Sequence, residues 1–242
     1  MTDTAKTVCV VGATGGIGAA VARRFAQLGF RLVLMDLAAS PVKTLAAELG
    51  GEAAAIDVAD ADSVARAFAA ARENVAALDV LVLASGVVET ATALADETDE
   101  TWSRMLAVNL TGVFLCCRAA DDWLRDGGRI VTISSSAARS GGLATGPAYA
   151  AAKGGVEALT KAMANLFAPR QITVNCVAPG ATDTPMLDAH PPERIAAIAA
   201  ANPLGRIATP DDVAAAIAFL ASKEAAYLTG VVLPVNGGQR MD

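Results

Sequence analysis

Val8-Cys9-Val10-Val11-Gly12-Ala13-Thr14-Gly15-Gly16-Ile17-Gly18 joins a short apolar run to a glycine-rich turn, and from 17 to 28 apolar residues then recur at helical spacing. This is strand, tight turn, helix. The absent side chains of Gly12, Gly16 and Gly18 permit tight backbone geometry and let main-chain N–H groups approach a pyrophosphate, which the positive end of the helix also favours. A glycine turn between strand and helix is the context that supports dinucleotide binding. A second apolar strand, 31–35, runs into Asp36, whose carboxylate is placed to accept hydrogen bonds from adenosine ribose hydroxyls and to repel a 2′-phosphate. Gly15 and Leu37 bring no positive charge to that pocket, and Arg23 and Arg24 lie more than a turn into the helix. NAD is therefore expected over NADP.

Further along, Tyr149-Ala150-Ala151-Ala152-Lys153 follows the serines Ser134-Ser135-Ser136. Residues four apart share one helix face, so a phenol and an ammonium meet in one site. The ammonium favours phenolate, and a tyrosine so tuned exchanges protons with an alcohol or ketone at neutral pH. The spacing alone is weak, and the glycine turn and Asp36 give it weight.

Apolar runs near 7–11, 31–35, 52–56, 79–84, 128–134, 171–177 and 231–235 are separated mostly by helical patterns. This alternation predicts an α/β fold of Rossmann type, a doubly wound parallel seven-stranded sheet with helices on both faces and ligands at the carboxyl ends of its strands. At 242 residues, 54% of them hydrophobic, the chain suits a single domain, 1–242. An acidic stretch, 96–100, predicts a helix beginning near Thr101.

These pieces, in this order, resemble the short-chain dehydrogenase/reductase family in its compact single-domain branch, over nearly the whole chain. The matching segments are the 12–18 glycine turn, Asp57-Val58, Asn109 in Val108-Asn109-Leu110, the serines after Ile133, Tyr149 with Lys153, Pro179-Gly180 with Thr184, and Asn236-Gly237-Gly238. The resemblance implies an oxidoreductase interconverting a secondary alcohol and a ketone by hydride transfer, with Tyr149 as general acid/base. Lys153 would lower its pKa and hold the nicotinamide ribose, Ser135 would bind the substrate oxygen, and Asn109 would position the active-site helix and a proton-relaying water chain. The cofactor would be held by Gly12, Thr14, Gly15, Gly16, Ile17 and Gly18, by Asp36 and Leu37, by Asp57 and Val58 near the adenine, by Ala84, Ser85 and Gly86, and by Tyr149 and Lys153. Pro179, Gly180, Thr182 and Thr184 would line the nicotinamide, and the segment 184–207 would close over substrate. Counting from the strand selects Ser135 as the catalytic serine, whereas the commonest family interval back from Tyr149 lands on Ser136.

Two departures coincide. Val11 replaces the family's usual threonine, and Leu83-Ala84-Ser85-Gly86 replaces its Asn-Asn-Ala-Gly, so both members of a polar tie between the first and fourth strands are absent. Losing both partners of a buried hydrogen bond is nearly neutral, and a repacked sheet centre with cofactor binding intact is expected. An alternative activity is reduction of 3-oxoacyl thioesters on acyl carrier protein or coenzyme A, because Arg129 and Arg170 match docking positions of carrier-protein reductases; Asp36 and the acidic surface argue against it. An extended-branch epimerase needs a longer C-terminal region, and a non-catalytic NAD sensor would not need all four catalytic positions filled.

The net charge of −6, with no basic run, argues against nucleic acid and anionic membranes. No membrane-length apolar run and no signal-peptide pattern is seen, so the cytoplasm is expected. Cys9, Cys116, Cys117 and Cys176 read as reduced core thiols, and the sole histidine, His190, makes a metal site or a Ser-His-Asp triad improbable. The segment 186–207 has few cations and suits an apolar or uncharged small-molecule alcohol or ketone. The family suggests a homotetramer, formed through apolar residues on two helices, Trp102, Met105, Leu106, Phe114 and Leu115 on one and Ala158, Ala162, Met163, Leu166 and Phe167 on the other.

Overall fold

The computed structural model describes residues 5–37, 39–89, 93–142, 145–187 and 191–241. Its elements follow one another as β1 (Thr7–Val11), α1 (Gly16–Gln27), β2 (Arg31–Asp36), α2 (Ala39–Leu49), β3 (Glu52–Ala55), α3 (Ala61–Asn74), β4 (Leu78–Leu83), α4 (Asp99–Leu106), α5 (Gly112–Ala120), β5 (Leu124–Ile133), α6 (Ala137–Ser140), α7 (Pro147–Phe167), β6 (Thr173–Pro179), α8 (Pro192–Ala201), α9 (Pro210–Leu220) and β7 (Val232–Val235). The strands form one sheet in the order β3-β2-β1-β4-β5-β6-β7, every neighbouring pair parallel. The order reverses between β1 and β4, and a ligand crevice forms outside the strand ends at such a point.

Strand residues alternate between two cores because successive side chains point to opposite faces. Cys9 and Val11 pack with Phe68 of α3, Val113 of α5 and Val156 of α7 on one side. Val8 and Val10 pack with Phe25 of α1, Leu45 of α2 and Ile217 of α9 on the other. With both faces covered, continuous apolar runs are what the strands require.

The elements depart from expectation in three places. Thr98 caps α4 by accepting from the Thr101 N–H at 3.1 Å, so that helix begins at Asp99, ahead of Thr101. The helix that follows is interrupted at Ala107–Thr111 by a π-helical turn carrying Asn109. Finally β5 starts at Leu124, before a register shift against β4 between Leu78 and Val80. No helix among the described residues is long and apolar enough to cross a membrane, and all four cysteines are buried and free.

Candidate active site

The turn from β1 to α1 is built from main chain. Gly12 has φ +82°, and a Cβ there would lie 2.6 Å from the Ala84 carbonyl carbon. The N–H groups of Gly12 and Ala13 both donate to the Met35 carbonyl, at 2.8 and 3.1 Å, and the Ala84 N–H donates to the Val11 carbonyl at 2.8 Å. Backbone alone thus clamps the end of β1 between β2 and β4, while Val11 and Leu83 are buried apolar neighbours of the sheet centre. A Cβ on Gly18 would collide with the Gly12 carbonyl, and one on Gly16 would lie 2.5 Å from Thr184 Cγ2. Gly15 caps α1 without a side chain, and no acidic residue occupies its first turn. The bare cradle and the positive end of a 12-residue helix fit a dinucleotide pyrophosphate.

Asp36 has a structural duty that the sequence did not reveal. Its Oδ2 accepts from both the N–H and the Oγ1 of Thr14, at 2.8 and 2.7 Å, and Oδ1 accepts from the Leu37 N–H at 2.7 Å. Two lone pairs per oxygen leave one position, on Oδ1, for a ribose hydroxyl. The side chain of Leu37 is exposed. Asp57, beyond β3, accepts from the Ala59 N–H at 2.9 Å, and Val58 is buried where a Cβ on Gly112 would come within 2.9 Å of it.

Beside the cradle lies a cavity of about 780 Å³, lined by Ile17, Ala84, Ser85 and Gly86, by Pro179, Gly180, Thr182 and Thr184, and by Ser135, Ser136, Tyr149 and Lys153. Cofactor and catalytic candidates therefore share one space. On α7, Tyr149, Lys153 and Glu157 recur every fourth residue along one buried face. Ser135 lies beside Tyr149 in this cavity, and its Oγ accepts from the Ala137 N–H at 3.1 Å. Ser136 donates its backbone N–H to the Pro179 carbonyl at 2.8 Å, and both serines line the cavity.

Lys153 is placed otherwise than expected. Its Nζ donates to the Ile133 carbonyl at 3.0 Å and lies 5.7 Å from the centroid of the Tyr149 ring. Burial brings its pKa down to about 8, with the nearby Cys176 opposing. Burial pushes the Tyr149 phenol up, and the Ser135 side chain opposes that rise. The net direction for the phenol is upward because it is removed from water, and the amine is turned to the end of β5.

Asn109, fully buried, donates from Nδ2 to the carbonyls of Val87 and Met105 at 3.0 and 3.1 Å and accepts from the Val87 N–H at 3.1 Å. It ties the segment after β4 to the π-helical turn. A Cβ on Gly86 would sit 2.9 Å from Asn109 Oδ1 and 3.4 Å from Lys153 Nζ, so this glycine admits both groups to one corner.

Several participants carry no motif. Glu157 is buried, accepting from Ser134 Oγ at 3.2 Å and from Arg139 Nε at 3.1 Å, and Ser134 Oγ also donates to the Lys153 carbonyl at 2.9 Å. Glu97 accepts from the Ala148 N–H at 3.4 Å, at the N-terminus of α7 where Gly146 offers no side-chain cap. Glu89, Thr145, Met186, Leu187, Ile198 and Gln239 also line the cavity. His190 lies outside the described residues.

Comparison with known proteins agrees with this geometry. The family model described as Enoyl-(Acyl carrier protein) reductase matches residues 12–240. The cis-4-hydroxycyclohexanecarboxylate dehydrogenase of Sinomonas cyclohexanicum is 40% identical, the match covering 96% of each chain. The galactitol 2-dehydrogenase (L-tagatose-forming) of Cereibacter sphaeroides is 39% identical over 95% of this chain and 92% of its own. A short-chain dehydrogenase/reductase crystal structure from Brucella melitensis superimposes with a TM-score of 0.92 at 36% identity, covering 98% of this chain and 97% of that one. With its parallel sheet, glycine cradle and tyrosine-lined cavity, the chain belongs to the short-chain dehydrogenase/reductase family, nicotinamide-dependent oxidoreductases here acting on a secondary alcohol or its ketone.

Proposed function

We propose that this oxidoreductase works with NAD(H) and that Tyr149 moves the proton. The observation that carries the reading is that Ser135, Tyr149 and Lys153 line one cavity with Ile17 of the glycine turn. In the reducing direction the Ser135 and Tyr149 hydroxyls donate to the substrate carbonyl oxygen, and Tyr149 yields its proton as that oxygen becomes an alkoxide. A nicotinamide held beside this cavity would supply the hydride, or accept it in the reverse direction. Lys153, held by the Ile133 carbonyl, offsets the phenolate charge that the proton transfer leaves. Asn109 fixes the loop after β4 against the helices through Val87 and Met105.

NAD is favoured because the residue at the end of β2 is a carboxylate with one acceptor position open and the exposed neighbour Leu37 is uncharged. Asp57 and Val58 would meet the adenine, and the segment 184–207, of which 188–190 lie outside the described residues, would close over substrate in a chain acting as one domain. A small alcohol fits better than a carrier-bound thioester. Arg170 is engaged by Asp121, Asp126 and the Leu124 carbonyl, and Arg129 by the carbonyls of Gly127, Gly128 and Ser222, so neither arginine is held ready for an acidic carrier. The reading carries with it cytoplasmic residence, where free cysteines stay reduced. It also carries a homotetramer. Met105, Leu115, Met163 and Phe167 are covered within the chain, but Trp102, Phe114 and Leu166 are exposed on α4, α5 and α7 and offer the apolar faces for assembly, which light scattering would register.

The test follows reduced-nicotinamide absorbance with secondary alcohols, diols, hydroxy acids, sugars and β-oxoacyl thioesters, each with NAD and with NADP. Turnover of an alcohol with NAD preferred is expected, and Asp36→Ala should weaken NAD and erode the preference about tenfold. A wild type that prefers NADP would overturn the cofactor reading, and turnover confined to thioesters would overturn the substrate reading.

A further inference from the structure

The cavity beside Tyr149 has walls of unlike character. Val88, Met186, Leu187 and Ile198 make one part apolar. Elsewhere Glu89 is the only acidic side chain among the described lining residues, and Lys153, bound to the end of β5, is the only basic one. Glu89 does not swing freely. One carboxylate oxygen pairs with Arg104 and the other accepts from Thr101 Oγ1 at 3.3 Å. Both donors come from α4, and a lone-pair position remains on each oxygen. A second polar atom on the wall is unspent, since Thr145 Oγ1 is buried without a hydrogen-bond partner among the described residues. A buried hydroxyl in that condition is costly unless a bound molecule completes it.

These features select among substrates. An ionised carboxylate accepts hydrogen bonds and donates none, so a substrate group meeting Glu89 must be a donor. Arg104 already balances its charge, so no cationic partner is needed. An anionic substrate group has no proton to donate to that carboxylate and would set lone pairs against it. On the function proposed above, we infer that the substrate is a neutral molecule bearing a second hydroxyl, a diol or polyol, with one carbinol at Tyr149 and Ser135 and another hydroxyl donating to Glu89.

The test is a ratio measured on the wild type. Cyclohexanol, the isomeric cyclohexanediols and the corresponding hydroxy acids share one ring and differ in the second group. The best diol should exceed cyclohexanol by about tenfold or more in kcat/KM, with the hydroxy acids below both, because a site built to bond a hydroxyl rejects the analogue lacking it. Glu89→Leu should collapse the diol-to-cyclohexanol ratio toward one and Glu89→Gln should lower it less. Thr145→Val supplies a second ratio should Glu89→Leu fail to fold for want of a partner to Arg104. A wild-type ratio near one, a hydroxy acid as best substrate, or an undiminished ratio in Glu89→Leu would overturn the inference while leaving alcohol oxidation in place. Absence of turnover with every alcohol and both cofactors would overturn the underlying function and this inference with it.

Discussion

The β1–α1 corner and the β5–α7 corner line the same cavity but are made of different material. At the first, backbone touches backbone, and the decisive property of Gly12, Gly16 and Gly18 is the side chain they lack. At the second, Tyr149, Lys153, Asn109 and Glu157 are polar side chains held out of water by partners from three or more elements. A corner of the first kind fails by collision and takes the fold with it. A corner of the second kind fails by losing a charge or a proton and leaves the fold standing.

The contrast breaks most sharply at Gly12→Ala. The new methyl would meet main chain at Ala84 and Ser85, and φ +82° disfavours any L side chain. A loss of about 3 kcal/mol or more in denaturant-measured stability is expected, together with loss of NAD binding by titration. Near-wild-type stability would mean that the cradle yields easily and that the comparison is drawn too strongly.

Tyr149→Phe tests the opposite corner. Turnover should fall at least ~10²-fold, about 2.7 kcal/mol in barrier, while thermal stability and NADH affinity stay close to wild type. Retained turnover would remove Tyr149 from the proton-transfer role.

A smaller effect distinguishes the corners by pH. Lys153 titrates near 10.5 in the unfolded chain and at about 8 when buried, so between those values the unfolded state holds the extra proton. Raising pH through that window therefore favours the folded state. From pH 7.5 to 9 the cofactor-free protein should gain roughly 1 kcal/mol relative to Lys153→Met, read from melting midpoints. Above about 9 the sign reverses for the thiols, since burial raises Cys9, Cys116, Cys117 and Cys176 and the unfolded chain loses those protons first. A flat difference between wild type and Lys153→Met below pH 9 would show that the amine is not desolvated as its position implies.

Legibility followed the same division. All seven strands and the glycine turn could be read because apolar runs and glycine spacing are local signals that the backbone must obey. The π-helical turn at Ala107–Thr111 could not, since α4 and α5 have one unbroken helical pattern and only the bonds from Asn109 to Val87 and Met105 mark the change. Tyr149, Lys153 and Ser135 were legible as residues, but not the direction of the Lys153 amine, which depends on where β5 ends. Glu89, Glu97 and Glu157 act through partners distant in sequence, the Thr145 hydroxyl has none among the described residues, and an isolated glutamate or threonine announces nothing. The claim of Thr14 on Asp36 was hidden for the same reason.

The packing of Gly16 against Thr184 makes the complete cofactor cradle depend on segments far apart in the chain. Although its glycines lie among the first residues of the chain, one wall comes from the segment after β6, and the sheet between them is joined wholly through crossover connections, a topology that folds slowly. A nascent or partly denatured chain can hold the β1–α1 turn and still have no complete nucleotide pocket. Dinucleotide binding therefore reports that the chain has closed from its first strand to its sixth, and by mass action saturating NAD stabilises that closed state in preference to any intermediate lacking it.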